Sequence, residues 1–195
     1  MKKILAIMLA LTLLCLAGCG KKTDAAEEQA AAADAQETPT EEVAAEPEVE
    51  VKSVTISNEE GDAEMKIEYQ ALDGLTYEEY DNYGTPCIRF EYEPENISMT
   101  LFIDALNTGS LHDSIEGNGN GEPVAYGDVK GFVEFSSWAA TIKLELGPQT
   151  DAVSYIANVD IRRLDTYQAD SEDELRGFME NDAVTFILSS LELAG

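Results

Sequence analysis

From Val54 to Ile161 apolar and polar side chains alternate in one run after another, and this period of two constrains the fold more than any other feature. Val54 and Ile56 begin it. Met65, Ile67 and Tyr69 continue it against Glu64, Lys66 and Glu68, and Ile88, Phe90 and Tyr92 against Arg89, Glu91 and Glu93. Ile97, Met99, Leu101 and Ile103 follow, then Val129, Gly131, Val133 and Phe135. Trp138, Ala140, Ile142, Leu144 and Leu146 come next, and Val153, Tyr155, Ala157, Val159 and Ile161 close the series. Successive side chains of a strand point to opposite faces, so these runs predict strands with one face buried and one wet. Turn-forming residues at 58–62, 94–96, 136–137 and 147–151 separate them. Turns this short join antiparallel neighbours. Trp138 falls in phase with Ala140 and Ile142, which predicts a core position.

The period changes near the C-terminus. Ser171-Glu172-Asp173-Glu174 fits a capping box, with Ser171 as N-cap and Glu174 three residues on. Leu175, Phe178 and Met179 then share one helical face. Asn181-Asp182 offers a second helix start, after which Val184, Ile187, Leu188 and Leu191 repeat at helical spacing. Two short amphipathic helices must bury their stripes, and a sheet face is the apolar surface at hand. The expected fold is α+β: a predominantly antiparallel β-sheet with two short C-terminal helices packed on one face. Residues 51–195 suffice for one such domain. The strands ending in Phe186-Ile187-Leu188-Ser189-Ser190-Leu191 resemble the close of PsbP/Mog1-like domains. That superfamily is mostly non-enzymatic, so the resemblance implies a binding or accessory domain.

The N-terminus has its own pattern. Lys2 and Lys3 precede an apolar run over residues 4–16, which leads into Ala17, Gly18 and Cys19. Basic, then apolar, then small is the order of a secretory signal. As a helix the run would reach roughly 20 Å at about 1.5 Å per residue, short of a bilayer core of about 30 Å. Leu16-Ala17-Gly18-Cys19 also resembles the lipobox of bacterial lipoproteins. The resemblance implies a signal peptide over residues 1–18 and a diacylglycerol on the thiol of Cys19. It also implies an anchor on the extracytoplasmic face of a bacterial membrane, stable because two or more acyl chains hold it.

Residues 20–50 carry ten carboxylates, many alanines, Pro39 and Pro47, and no aromatic residue. With no apolar stripe to bury, residues 19–50 read as a lipidated cysteine followed by a disordered acidic spacer. Its r.m.s. span is roughly 30 Å before charge repulsion extends it. Cys15 leaves with the signal and Cys19 carries lipid, so Cys87 stands alone, expected as a small buried side chain.

A formal net charge of −27 repels phosphate and excludes nucleic acid as a partner. Beyond the membrane itself, a protein, peptide or glycan partner remains. The sequence calls for no cofactor. His112 is the only histidine, in a polar loop with Ser110 and Ser114 and without a nucleophile-elbow pattern. Glu116, Asn118, Asn120 and Gly121 match the early positions of a calcium loop, with Asp128 beyond them. Position twelve is Gly127, no helices flank the stretch, and a glycine-rich hairpin loop is the expected reading. Tyr77, Tyr80 and Tyr83, spaced by three, are candidate ligand-contact aromatics if a turn or short helix stacks them on one side. The whole reads as a membrane-anchored, non-enzymatic binding or accessory module. A small envelope hydrolase using a carboxylate pair, or a structural subunit of an envelope complex, are the alternatives.

Overall fold

Each alternating run becomes a strand. The computed structural model describes residues 49–106, 111, 121–148, 153–166 and 168–194, all within the unit Glu46–Gly195. β1 (Val51–Ser57) and β2 (Glu64–Gln70) form a hairpin that opens the domain. β3 (Leu75–Asn82), β4 (Thr85–Tyr92) and β5 (Ile97–Leu106) follow, then β6 (Glu122–Tyr126), β7 (Val129–Phe135), β8 (Ala140–Leu146) and β9 (Ser154–Arg163). These seven make one antiparallel sheet in the order β3-β4-β5-β9-β8-β7-β6. The helices α1 (Glu172–Met179) and α2 (Asp182–Ser189) come next, and the short β10 (Glu192–Ala194) ends the chain beside β2. The fold is α+β, with the helices at the C-terminus.

The expected single sheet is two sheets. β1, β2 and β10 form a separate three-stranded sheet that lies with both helices over one face of the larger one. Period two reports which side chains share a face, not which sheet a strand joins. Between the layers sits one core. Ile88, Leu101, Ile142, Leu144, Val159 and Ile161 of the large sheet are fully buried, as are Met65 and Ile67 of β2 and Leu175 and Leu188 of the helices. Each such side chain contributes about 1.5–3 kcal/mol.

Side-chain caps place the helices. Ser171 Oγ accepts the Glu174 N–H at 3.2 Å, and the Glu174 carboxylate reaches back to the Asp170 N–H at 2.7 Å. The capping box is therefore shifted by one residue on its return bond. Arg163 at the end of β9 ties α1 to the large sheet through Asp165 and Asp170, each at 2.9 Å, and Glu174 at 3.5 Å. Asn181 Oδ1 accepts the Ala183 N–H at 3.0 Å and starts α2. At its far end Ser190 Oγ accepts the Glu68 N–H at 2.9 Å, which pins α2 against β2.

Trp138 is not in the core. The chain turns at residues 136–139, where Ser136 Oγ accepts the N–H groups of Trp138 (3.3 Å) and Ala139 (3.1 Å). β8 begins only at Ala140, and the indole is 44% exposed. Its apparent phase with Ala140 ends where the strand does.

Candidate functional site

The three tyrosines do not come together. They belong to a strand and its turn rather than to a helix, and an odd spacing along a strand reverses the face. Tyr77 faces the core side, edge-on to Tyr69 at 5.4 Å and tilted against Phe90 at 5.8 Å. Tyr80 faces the opposite side, where the Arg89 guanidinium lies 4.6 Å from its ring centre. Tyr83 occupies the β3–β4 turn, wholly exposed, with φ +56° beside Gly84 at +99°. A left-handed conformation suits Asn or Gly far better than a bulky side chain. Tyr83→Asn is expected to stabilise the domain by about 1 kcal/mol, roughly 2–4 °C in a thermal melt. An unchanged or lower melting temperature would count against the strain reading.

Other candidates divide between the described and undescribed parts of the chain. Cys19, His112, Glu116, Asn118 and Asn120 lie outside the described residues. Asp128 sits exposed in the two-residue β6–β7 turn after Gly127. Cys87 is a free, buried thiol, as its flanking sequence predicts, and burial pushes its pKa up.

The face of the large sheet away from the helices is polar across its middle. Glu78, Arg89, Thr100, Asp160, Thr141 and Glu134 stand in one row, one residue per strand. Arg89 Nη1 meets Glu78 at 2.8 Å and Thr141 Oγ1 donates to Asp160 at 2.7 Å. Arg89 neutralises Glu78, whereas Asp160 is bonded to a neutral hydroxyl and keeps its charge.

Charge is less balanced at the end of the sheet. There the β1–β2 hairpin tip, the end of β5 and the start of β9 enclose a cleft of about 360 Å³. Glu59, Glu60, Asp62 and Asp104 line it, with Thr85, Phe102 and Tyr155. The hairpin is built around Asn58, which is 3% exposed. Its Oδ1 accepts the N–H groups of Asp62 (3.0 Å) and Ala63 (3.1 Å). Its Nδ2 donates to the carboxylates of Asp62 (2.6 Å) and Glu60 (3.2 Å). Gly61, at φ +72°, lets the chain reverse there. Partial burial, together with Asp62 and Glu60 alongside, pushes the Tyr155 phenol up.

Among the described residues no three His, Cys, Asp or Glu side chains are arranged to hold a metal ion. The cleft instead offers dispersed acceptors, a geometry suited to an ammonium or guanidinium group. Each exposed contact of that kind is worth at most about 1 kcal/mol, while the summed field steers cations toward the site. In the sequence, residues 58–62 read only as a turn. In a chain with 39 acidic residues, no subset of carboxylates stands out before folding assembles it.

No protein-family model matches the chain, and no curated protein does. Among solved structures it is similar to a protein from Bacteroides thetaiotaomicron, with TM-score 0.38 and 12% sequence identity, over 67% of this chain and 45% of that one. The chain thus spans under half the length of that protein, and a likeness of this degree carries no argument about fold or function.

Proposed function

We propose that the protein is a bacterial lipoprotein, anchored through lipid on Cys19, whose domain is a non-enzymatic binding or accessory module for a cationic partner outside the cytoplasm. The observation that carries the anchor is the order of segments in the chain. Leu16-Ala17-Gly18-Cys19 is followed by acidic residues up to Glu50, and β1 begins at Val51. The first described strand thus starts where the spacer composition stops. The acidic cleft supports the cationic partner, because its four carboxylates stand in a field already set by a net charge of −27.

The anchor is tested by metabolic labelling with palmitate. Wild-type protein is expected to take up label and to partition with membranes, and Cys19→Ala to lose both. Label retained by Cys19→Ala would sink the anchor. The binding role predicts saturable association without turnover. Turnover of a glycan or ester, lost on replacing one acid, would favour a hydrolase using a carboxylate pair instead.

A further inference from the structure

Among the described residues β6 is the outer strand of the large sheet, and beside it runs a groove of about 420 Å³. Val124, Ala125 and Tyr126 form one wall; Arg176, Met179 and Glu180 of α1 and its C-cap form the other. Three consecutive strand residues cannot share a face, so the groove follows the backbone edge of β6 itself. The β6–β7 turn has two residues, Gly127 and Asp128, with Gly127 at φ +60°. In such a hairpin the pair next to the turn, Tyr126 with Val129, exchanges hydrogen bonds, and so does every second pair beyond it. Val124 and Glu122 therefore bond to β7. Ala125 turns both its N–H and its C=O away from the sheet, and Pro123 turns out a carbonyl alone.

Charge along the groove is polarised. At the Glu122 end the Arg176 guanidinium is taken up by Glu122 at 2.9 Å and Glu172 at 2.6 Å. At the Tyr126 end Glu180 has no cationic partner among the described residues. Burial and that carboxylate push the Tyr126 phenol up to about 12, so it remains a neutral donor beside the acid.

We propose that this groove takes an extended basic peptide segment, added to β6 as an antiparallel strand, with a lysine or arginine level with Tyr126 and an apolar residue level with Val124. The residue opposite Ala125 exchanges two hydrogen bonds with it, and a third N–H reaches the Pro123 carbonyl. Side chains on either side of that residue point into the groove. One meets Glu180 and the Tyr126 hydroxyl; the other packs on Val124 and Met179. Pro123 offers no N–H, so the edge supports a short engagement rather than open-ended sheet growth. The inference rests on reading the domain as a binding module, and is independent of the lipid anchor.

The probe is a fluorescein-labelled peptide with blocked ends, Thr-Lys-Thr-Val-Thr, titrated against the full chain in non-ionic detergent and read by anisotropy. Saturable binding is expected. It should weaken at least tenfold when the central threonine amide is N-methylated, since that N–H bonds to Ala125. Glu180→Lys should weaken it as much, with a glutamate-for-lysine peptide regaining affinity for that variant. No saturation at millimolar protein overturns the proposal, as does binding indifferent to both N-methylation and Glu180→Lys. Dimers of the chain that compete with the peptide for the edge also overturn it, by making a second copy the occupant. The N-methyl arm leaves the protein unaltered, so a folding defect in the variant cannot mimic it. Palmitate labelling reads the anchor alone, and saturable binding away from β6 would leave the module reading standing while this inference fell.

Discussion

Gly131→Ala is expected to destabilise the domain by more than about 4 kcal/mol and to move its urea midpoint sharply down. Gly131 lies in the middle of β7, paired with Leu144 on one side and Val124 on the other. A Cβ there would stand 1.9 Å from the Lys143 carbonyl oxygen, 2.8 Å from its carbon and 2.9 Å from the Leu144 Cα. All three are backbone atoms of the neighbouring strand, so no side chain can swing away to make room. Relief requires β7 and β8 to separate, which breaks the ladder that joins the β6–β7 hairpin to the rest of the sheet. A cost above about 4 kcal/mol follows, against a total stability of about 5–15 kcal/mol for a domain of ordinary size. Urea titration followed by circular dichroism reads it. Gly177 is the control: it is exposed in α1 with nothing within 4 Å of an added Cβ, so alanine there should stabilise by about 1 kcal/mol. Equal midpoints for the two variants would refute the close approach at Gly131.

That glycine marks the boundary between what the sequence discloses and what it withholds. Val129, Gly131, Val133 and Phe135 announce a strand by their alternation, and β7 is that strand. Nothing in the alternation says that the neighbouring backbone comes within reach of position 131. The same division holds for whole elements. Strands with one wet face and one dry face were legible, because burial writes period two into their residues. β3 was not: six of its eight residues are exposed, so Leu75–Asn82 carries no alternation, and its tyrosines look helical. β6 carries no strand signal, because Pro123 and flanking glycines suggest a turn, although proline is tolerated at a sheet edge. β10, three residues long, has no room for a pattern. The cleft draws on the β1–β2 turn and the groove on β6, so neither could be assembled from sequence alone. The helix starts at Ser171 and Asn181 were legible, because caps are local, but the stripe ran on to Leu191, beyond the end of α2 at Ser189.

Asn58→Asp should cost the domain about 3–4 kcal/mol near neutral pH and much less in mild acid. The two residues have the same shape, so the change isolates charge and hydrogen bonding. Asn58 is buried, and its Nδ2 now donates to Asp62 at 2.6 Å and Glu60 at 3.2 Å. An ionised carboxylate there would have no proton to offer and would face two like charges with little water between them. Both burial and like charge favour the neutral acid, so the new group's folded pKa lies above its unfolded value. Protonation therefore stabilises the folded state relative to the unfolded one as pH falls toward the unfolded value near about 4. The deficit against wild type is full above the folded pKa and shrinks as pH drops through it. Thermal melts of both proteins across that range measure the difference directly, and a deficit that stays constant with pH would show that the carboxylates of Glu60 and Asp62 are not held against position 58. The consequence reaches the site. Repulsion at position 58 pushes those two carboxylates apart, so cation affinity in the cleft should fall at neutral pH even though the variant adds a negative charge.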